Sequence, residues 1–264
     1  MLIGKPVLSI PFNIIEICQI LNDHNYQAYI VGGAIRDALL KQKPTDWDLA
    51  TDATPNQVQK IFPKTIATGE KYGTITVCHG ELMVEVTTMR LDANYSDGRR
   101  PDSVRFTTDI NHDLARRDFT VNAIAYNPLT KIFIDPFNGM KDLKRRTLRT
   151  VGKSSERFHE DALRMLRLIR FSATLGFKPD KKAVQALEPS LLAHVAPERI
   201  SVELSKLLMA KTIVEPLELL YTSGLLAKII PELAAAANVG QGSHHYLDVL
   251  GHSFVAAQAI KPEL

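Results

Sequence analysis

The order of strand-type and helix-type patterning sets the strongest limit on how this 264-residue chain can fold. Runs with the two-residue period of strands occur only before about residue 140. Beyond it, apolar residues recur at three- and four-residue spacings. An α+β head followed by an all-helical part satisfies that order. In the head, residues 12–25 carry Ile14, Ile17, Cys18 and Leu21 at helical spacing. Residues 27–31 predict a buried strand ending at Gly32-Gly33, residues 34–40 a short helix, and residues 46–51 a second strand. Thr54 and Pro55 open a helix over 55–62. Residues 74–78 and 82–89 predict a hairpin, 92–110 a mobile loop, 111–125 a helix and 131–135 a last strand. A long helix is then expected over 156–175, with Leu163, Leu166, Ile169 and Ala173 inward and Gly176 as its stop. Further helices are expected near 180–194, 198–210 and 213–222.

Composition narrows the function class. A hydrophobic fraction of 45% and a charged fraction of 23% are those of an ordinary globular protein. The sequence holds no run of eighteen apolar residues, so no transmembrane helix and no membrane partner are expected. Its N-terminus lacks the pattern of a signal peptide. Cys18 and Cys78 lack metal-type spacing, and a reduced, cytoplasmic protein is expected. A net charge of +3 argues little for nucleic acid, but basic residues bunch over 141–153 and 157–171, where phosphates would find them.

Three short stretches carry chemistry. In VGGAIRD, residues 31–37, the two glycines follow a strand and open a helix, so bare backbone and free N–H groups can approach a phosphate there. Arg36 stands one turn in, placed for a charge-assisted contact. The stretch is neither a Walker A loop nor a dinucleotide fingerprint. In DWDLAT, Asp46 and Asp48 are two apart, so on a strand both carboxylates would share one face. Glu85 lies in the apolar strand LMVEVTTM with Met83 and Thr87 on its face and Val84 and Val86 on the other. Three carboxylates on neighbouring strands would suit Mg²⁺ and two-metal phosphoryl transfer. Each piece alone has an ordinary structural reading: a tight turn, solvated acids, a surface acid.

Together, VGGAIRD, DWDLAT, EVTTMR, LARRDFTVNAIAYNP (114–128), IDPFNGMKDL (134–143), RFHEDALRMLRLIRF (157–171) and VAPERISVEL (195–204) resemble the class II tRNA nucleotidyltransferases and bacterial poly(A) polymerases, in that family's order. The resemblance implies a nucleotidyltransferase-type mixed-sheet head over residues 1–140, a helical neck over 141–225 and the start of a helical body over 226–264. It implies template-independent addition of C and/or A from CTP or ATP to the 3′ end of tRNA, with Mg²⁺ as cofactor. By the same carry-over, Asp46 and Asp48 would hold the metal beside Glu85, and Gly33 and Arg36 would bind the triphosphate. Arg117 and Asp118 would reach the nucleotide. Asp161 and Arg164 would present a base-pairing edge, with Arg167 and Arg170 continuing the face. An Asp accepts from the amino group that cytosine and adenine share, and an Arg donates to the neighbouring ring acceptor, so one pair can read both bases. The ordinary reading of that pair is a surface i,i+3 salt bridge. The loop NYSDGRRPDSVRF is retained, which disfavours an enzyme that adds only C. An A-adding enzyme or poly(A) polymerase is the nearest alternative, and a non-catalytic RNA-binding module a more distant one. Residues 240–254 resemble the opening of a His-Asp metal-hydrolase domain, with His245 and His252 as its first histidines. The sequence ends at Leu264 before the expected partners, which implies a fragment. Oligomeric state stays open.

Overall fold

The computed structural model describes residues 8–93, 103–240 and 246–260, and these fall into two compact units that change over between Arg145 and Arg146. The first unit is built on a seven-stranded mixed sheet in the order β3-β4-β5-β2-β1-β8-β9. Its elements are α1 (Phe12–Asp23), β1 (Ala28–Val31), α2 (Gly33–Leu39), β2 (Asp48–Thr51), α3 (Pro55–Ile61), β3 (Thr65–Gly69), β4 (Thr74–His79), β5 (Leu82–Thr88), β6 (Arg90–Ala93), β7 (Ser103–Phe106), α4 (Ile110–Ala115), β8 (Ala125–Asn127), β9 (Ile132–Ile134) and α5 (Gly139–Arg145). Among the described strands of this sheet only β2 and β5 pair in parallel; their neighbours run antiparallel. The predicted stripe on α1 is borne out, since Ile14, Ile17, Cys18 and Leu21 are all fully buried. Burial pushes the Cys18 thiol up to about 12, as expected of a packed core cysteine. On β5 the alternation also holds: Val84 and Val86 face the core, while Met83 is 65% exposed.

Local chemistry fixes the helix starts. At α3 the Thr54 amide donates to Gln57 Oε1 at 2.8 Å, and Pro55 takes the first helical position. At α5, a Cβ on Gly139 would stand 2.2 Å from the Thr120 carbonyl oxygen, so only glycine allows this approach.

Four expectations are corrected, three in this unit and one in the second. Strand β2 begins at Asp48, leaving Asp46 outside the ladder. The segment 92–110 is not simply a loop: β6 and β7 pair antiparallel as a two-stranded ribbon, and its middle lies outside the described residues. The helix expected to Ala125 stops at Ala115; Thr120–Asn122 forms a single 3₁₀ turn, because Asp118 Oδ1 takes the Phe119 amide at 2.7 Å and Asn122 Nδ2 at 3.0 Å. Strands do not end at residue 140 either, for β10 (Thr147–Leu148) pairs with β11 (Lys178–Pro179).

The second unit is otherwise helical: α6 (Ser154–Glu160), α7 (Leu163–Leu175), α8 (Lys181–Gln185), α9 (Pro197–Leu208), α10 (Val214–Thr222), α11 (Leu225–Ile229), α12 (Pro231–Ala234) and α13 (Val249–Ala259). The single helix expected over 156–175 is broken at Asp161, which is extended and accepts the Leu163 amide at 3.1 Å. Leu163, Leu166, Ile169 and Ala173 are buried as predicted, and Gly176 ends α7 with φ +64°. Gln258 on α13 accepts the Ile213 amide at 2.9 Å, which fastens α13 to the start of α10. His252 lies exposed on α13, while His245 lies outside the described residues. Among the described residues no helix is long and apolar enough to cross a membrane.

Candidate active site

Strand β1 ends in the predicted glycine turn, and the turn explains itself. Gly32 has φ +73°, which side-chain-bearing residues rarely adopt. A Cβ there would stand 3.2 Å from Arg117 Nη1 and 3.5 Å from Asp48 Oδ2. Backbone, guanidinium and carboxylate thus meet at one point, and α2 opens beside them at Gly33.

The acids are arranged less symmetrically than a strand of two aspartates would give. Register pairs Asp48 with Glu85 across the parallel β2–β5 ladder. Asp46 precedes the strand, is exposed, and accepts the Thr45 hydroxyl at 3.1 Å. Trp47 between them turns into the core at 9% exposure. Burial pushes the Asp48 carboxyl up, Glu85 pushes it further, Arg117 offsets part of this, and Asp46 adds to the rise. Among the described residues no three acidic, histidine or cysteine side chains gather as one metal-ligand group. The expectation of three convergent carboxylates is therefore replaced by a pair, Asp48 with Glu85, and a nearby Asp46.

Two arginines reach this corner by different means. Arg36 folds back over Gly33, where its Nη2 would be 3.5 Å from an added Cβ. It donates to Asp37 at 2.7 and 3.0 Å and to Asn122 Oδ1 at 2.8 Å. Asn122 in turn donates to Asp118, so Asp118, Asn122 and Arg36 form one connected row. Arg117 leans the other way and donates to Asp113 Oδ2 at 3.0 Å. Its Nε is buried without a hydrogen-bond partner. Burial opposes ionisation of Asp113, yet Arg116 and Arg117 prevail and hold its carboxyl below the usual range.

The remaining predicted residues belong to the second unit. Asp161 and Arg164 do not pair with each other. Asp161 Oδ2 accepts from Arg199 at 2.9 Å, and Arg164 Nη1 donates to Glu160 at 2.6 Å and to the Arg157 carbonyl at 3.2 Å. The ordinary reading of an i,i+3 surface bridge therefore fails, and Arg164 is only 8% exposed. Because Asp161 lies outside α7, the helical stripe starts at Arg164 instead. Arg167 and Arg170 share Glu203 of α9, and Arg170 stacks 3.8 Å from the Phe171 ring centroid.

Asp113, Asn122, Arg199 and Glu203 were not singled out by sequence reasoning. Asp113 stands four residues before Arg117, which lies just past the end of α4, and that spacing could have found it. Glu203 lies within the quoted stretch VAPERISVEL, but its partners Arg167 and Arg170 are more than thirty residues away in sequence, and helical periodicity does not pair them.

Residues 28–149 match the family described as Poly A polymerase head domain, and residues 176–237 match "Probable RNA and SrmB- binding site of polymerase A". The CCA-adding enzyme of Geobacillus thermodenitrificans is 49% identical over 217 residues, 81% of this chain and 53% of that protein. The Bacillus stearothermophilus CCA-adding enzyme in complex with CTP superposes with a TM-score of 0.77 at 43% identity, covering 86% of this chain and 57% of that one. A tRNA nucleotidyltransferase complexed with a primer tRNA and an incoming ATP analog gives 0.67 at 28%, covering 83% and 66%. The chain spans about half the length of the curated relatives it matches. This chain belongs to the family of tRNA nucleotidyltransferases and poly(A) polymerases.

Proposed function

We propose that the chain is the catalytic part of a nucleotidyltransferase that adds C and A from CTP and ATP to the 3′ end of tRNA. The single observation that carries this is the meeting of Gly32, Asp48 and Arg117 at the end of β1, with Glu85 beside Asp48. Two of the relatives above, in complex with CTP and with a primer tRNA and ATP analog, support the choice of substrates.

Mg²⁺ fits this corner because Asp48 is pressed by Glu85 and Asp46, and a cation between the carboxylates would relieve that repulsion. Asp46 and Asp48 would hold it, and a bound divalent ion supplies charge neutralisation at a phosphate together with a lowered pKa for an attacking hydroxyl. The protein's own groups position the nucleotide. The amides at Gly32-Gly33 and the guanidinium of Arg36 receive the triphosphate, with Arg36 steadied by Asn122. Arg117 stabilises phosphate charge next to Asp48, and Asp118 sets the row that orients Arg36. No protein nucleophile is required: the RNA hydroxyl attacks the α-phosphate and pyrophosphate leaves.

For the domains we propose the head over 1–140, a neck over 141–225 in which Asp161 and Arg164 select the base, and the start of a body over 226–264. Two free cysteines agree with a reducing, cytoplasmic setting. A poly(A) polymerase or A-adding enzyme is the second reading, favoured by the name of the matching family. The decisive experiment incubates the chain with tRNA transcripts ending before CCA, after C and after CC, each with one labelled nucleotide. C then A at the matching ends supports CCA addition. A alone after CC identifies an A-adding enzyme, long A tracts identify a polymerase, and no extension with intact RNA binding leaves a binding module.

A further inference from the structure

Arg117 reaches the nucleotide corner with one nitrogen and is held from behind by another. Nη1 lies beside Gly32 and Asp48, whereas Nη2 donates to Asp113 at 3.0 Å. Asp113 is fully buried on α4 and divides its carboxylate. Oδ2 serves Arg117, and Oδ1 accepts Nε and Nη2 of Arg116 at 2.9 and 2.7 Å. Arg116 Nη1 in turn stands 3.7 Å from Asp92 Oδ2, and Asp92 Oδ1 accepts from Arg90 at 2.9 Å. Arg90 and Asp92 belong to β6 of the β6–β7 ribbon. An unbroken row of alternating charge therefore joins the ribbon to the glycine turn.

The division at Asp113 matters. A carboxylate facing a single arginine favours the two-pronged grip. Left alone with Arg117, Asp113 would take two of its nitrogens and draw Nη1 away from Gly32. Arg116 occupies Oδ1 and prevents this, and Asp92 keeps Arg116 in place. The side chains of Asp92 and Asp113 are 6% and 1% exposed, so solvent screens the row little. We propose that Asp113 is a positioning residue for Arg117, and that Asp92 of the β6–β7 ribbon acts on the nucleotide site through Arg116 and Asp113. This rests on the reading of Arg117 as a nucleotide-binding residue.

The test is a double-mutant cycle on the 264-residue chain. CTP affinity in the presence of Mg²⁺ is measured by calorimetry for wild type, Asp92→Asn, Arg117→Ala and the combination. Asp92→Asn should weaken CTP binding about fivefold in the wild-type background and leave the Arg117→Ala background unchanged. A purely structural Asp92 would weaken both backgrounds alike. Arg116→Lys keeps the charge but loses the fork, and should repeat the pattern; it stands in if Asp92→Asn fails to fold. Equal weakening in both backgrounds, or none in either, overturns the coupling. If wild type binds no CTP, or Arg117→Ala binds it as wild type does, the underlying reading of Arg117 fails and the inference with it.

Discussion

Asp48 and Asp113 are two poorly exposed aspartates of the same unit, and their surroundings pull them in opposite directions. Asp48 stands at the sheet end where burial, Glu85 and Asp46 all disfavour its charge and only Arg117 favours it. Asp113 stands on α4 where two arginines overcome its burial. Arg117 touches both neighbourhoods. The first acid is left electrostatically unsatisfied, as a site awaiting a cation should be, and the second is fully satisfied, as an anchor should be. Relieving that repulsion would stabilise the protein, and acids pressed in this way concentrate at functional sites.

The comparison breaks most visibly at Asp48. Asp48→Asn keeps the shape and removes the charge, and nucleotide incorporation should fall by about a thousandfold or more, several kcal/mol of transition-state stabilisation. The same variant should melt a few degrees higher than wild type when metal is absent, because the repulsion with Glu85 is gone. Activity loss with an unchanged or lower melting point would mean that Asp48 is not strained by its neighbours.

Asp113→Ala should behave in the reverse sense, costing about 3 kcal/mol of stability in denaturant titrations, because it strands two partly buried guanidinium groups. The pH dependence follows from the sign of the shift. The folded carboxyl holds its proton less tightly than its usual value of 3.8, so its contribution is complete above that value. It is lost as pH falls through the depressed folded value. Wild type should therefore lose more stability than Asp113→Asn on acidification to about pH 3, and parallel curves would refute the anchor.

Arg164 extends the contrast to the second unit. It is buried like Asp113, and its guanidinium donates to the half-buried carboxylate of Glu160 and to the Arg157 carbonyl, contacts that the proposed base selection would require it to exchange. Arg164→Ala should reduce discrimination of CTP and ATP against UTP and GTP about tenfold, with a smaller change in RNA affinity. Unaltered discrimination in competition assays would remove Arg164 from base selection.

How far the sequence carried the reading depended on the range of the interactions. The glycine turn, the stripe on α1 and the cap at Thr54 were legible because each is local: a φ preference, a helical period, a side chain reaching three residues on. The pairing of Asp48 with Glu85 was legible only as two acids on strands, since register across a parallel ladder is set by the whole sheet. The break at Asp161 was missed because a helical period continues across it, while an Asp side chain competing for the next amide is invisible to periodicity. The ribbon β6–β7 was hidden by its polar composition, and the ion pair from its Asp92 to Arg116 at the end of α4 is not a contact that strand periodicity can reveal.

The smallest effect serves as the control for the comparison. Thr54 caps α3 with its amide and hydroxyl both directed to Gln57, at 2.8 and 2.9 Å. It lies at the opposite end of β2 from Asp48 and shares no partner with Arg117. Thr54→Ala should cost about 1 kcal/mol of stability and leave CTP affinity and base discrimination as in wild type. Asp113→Ala should change both stability and CTP affinity, because its partners include Arg117, an arginine of the proposed nucleotide corner. If the two variants, compared after correction for the unfolded fraction, bind CTP equally well, then the link from Asp113 to the site is one of folding alone.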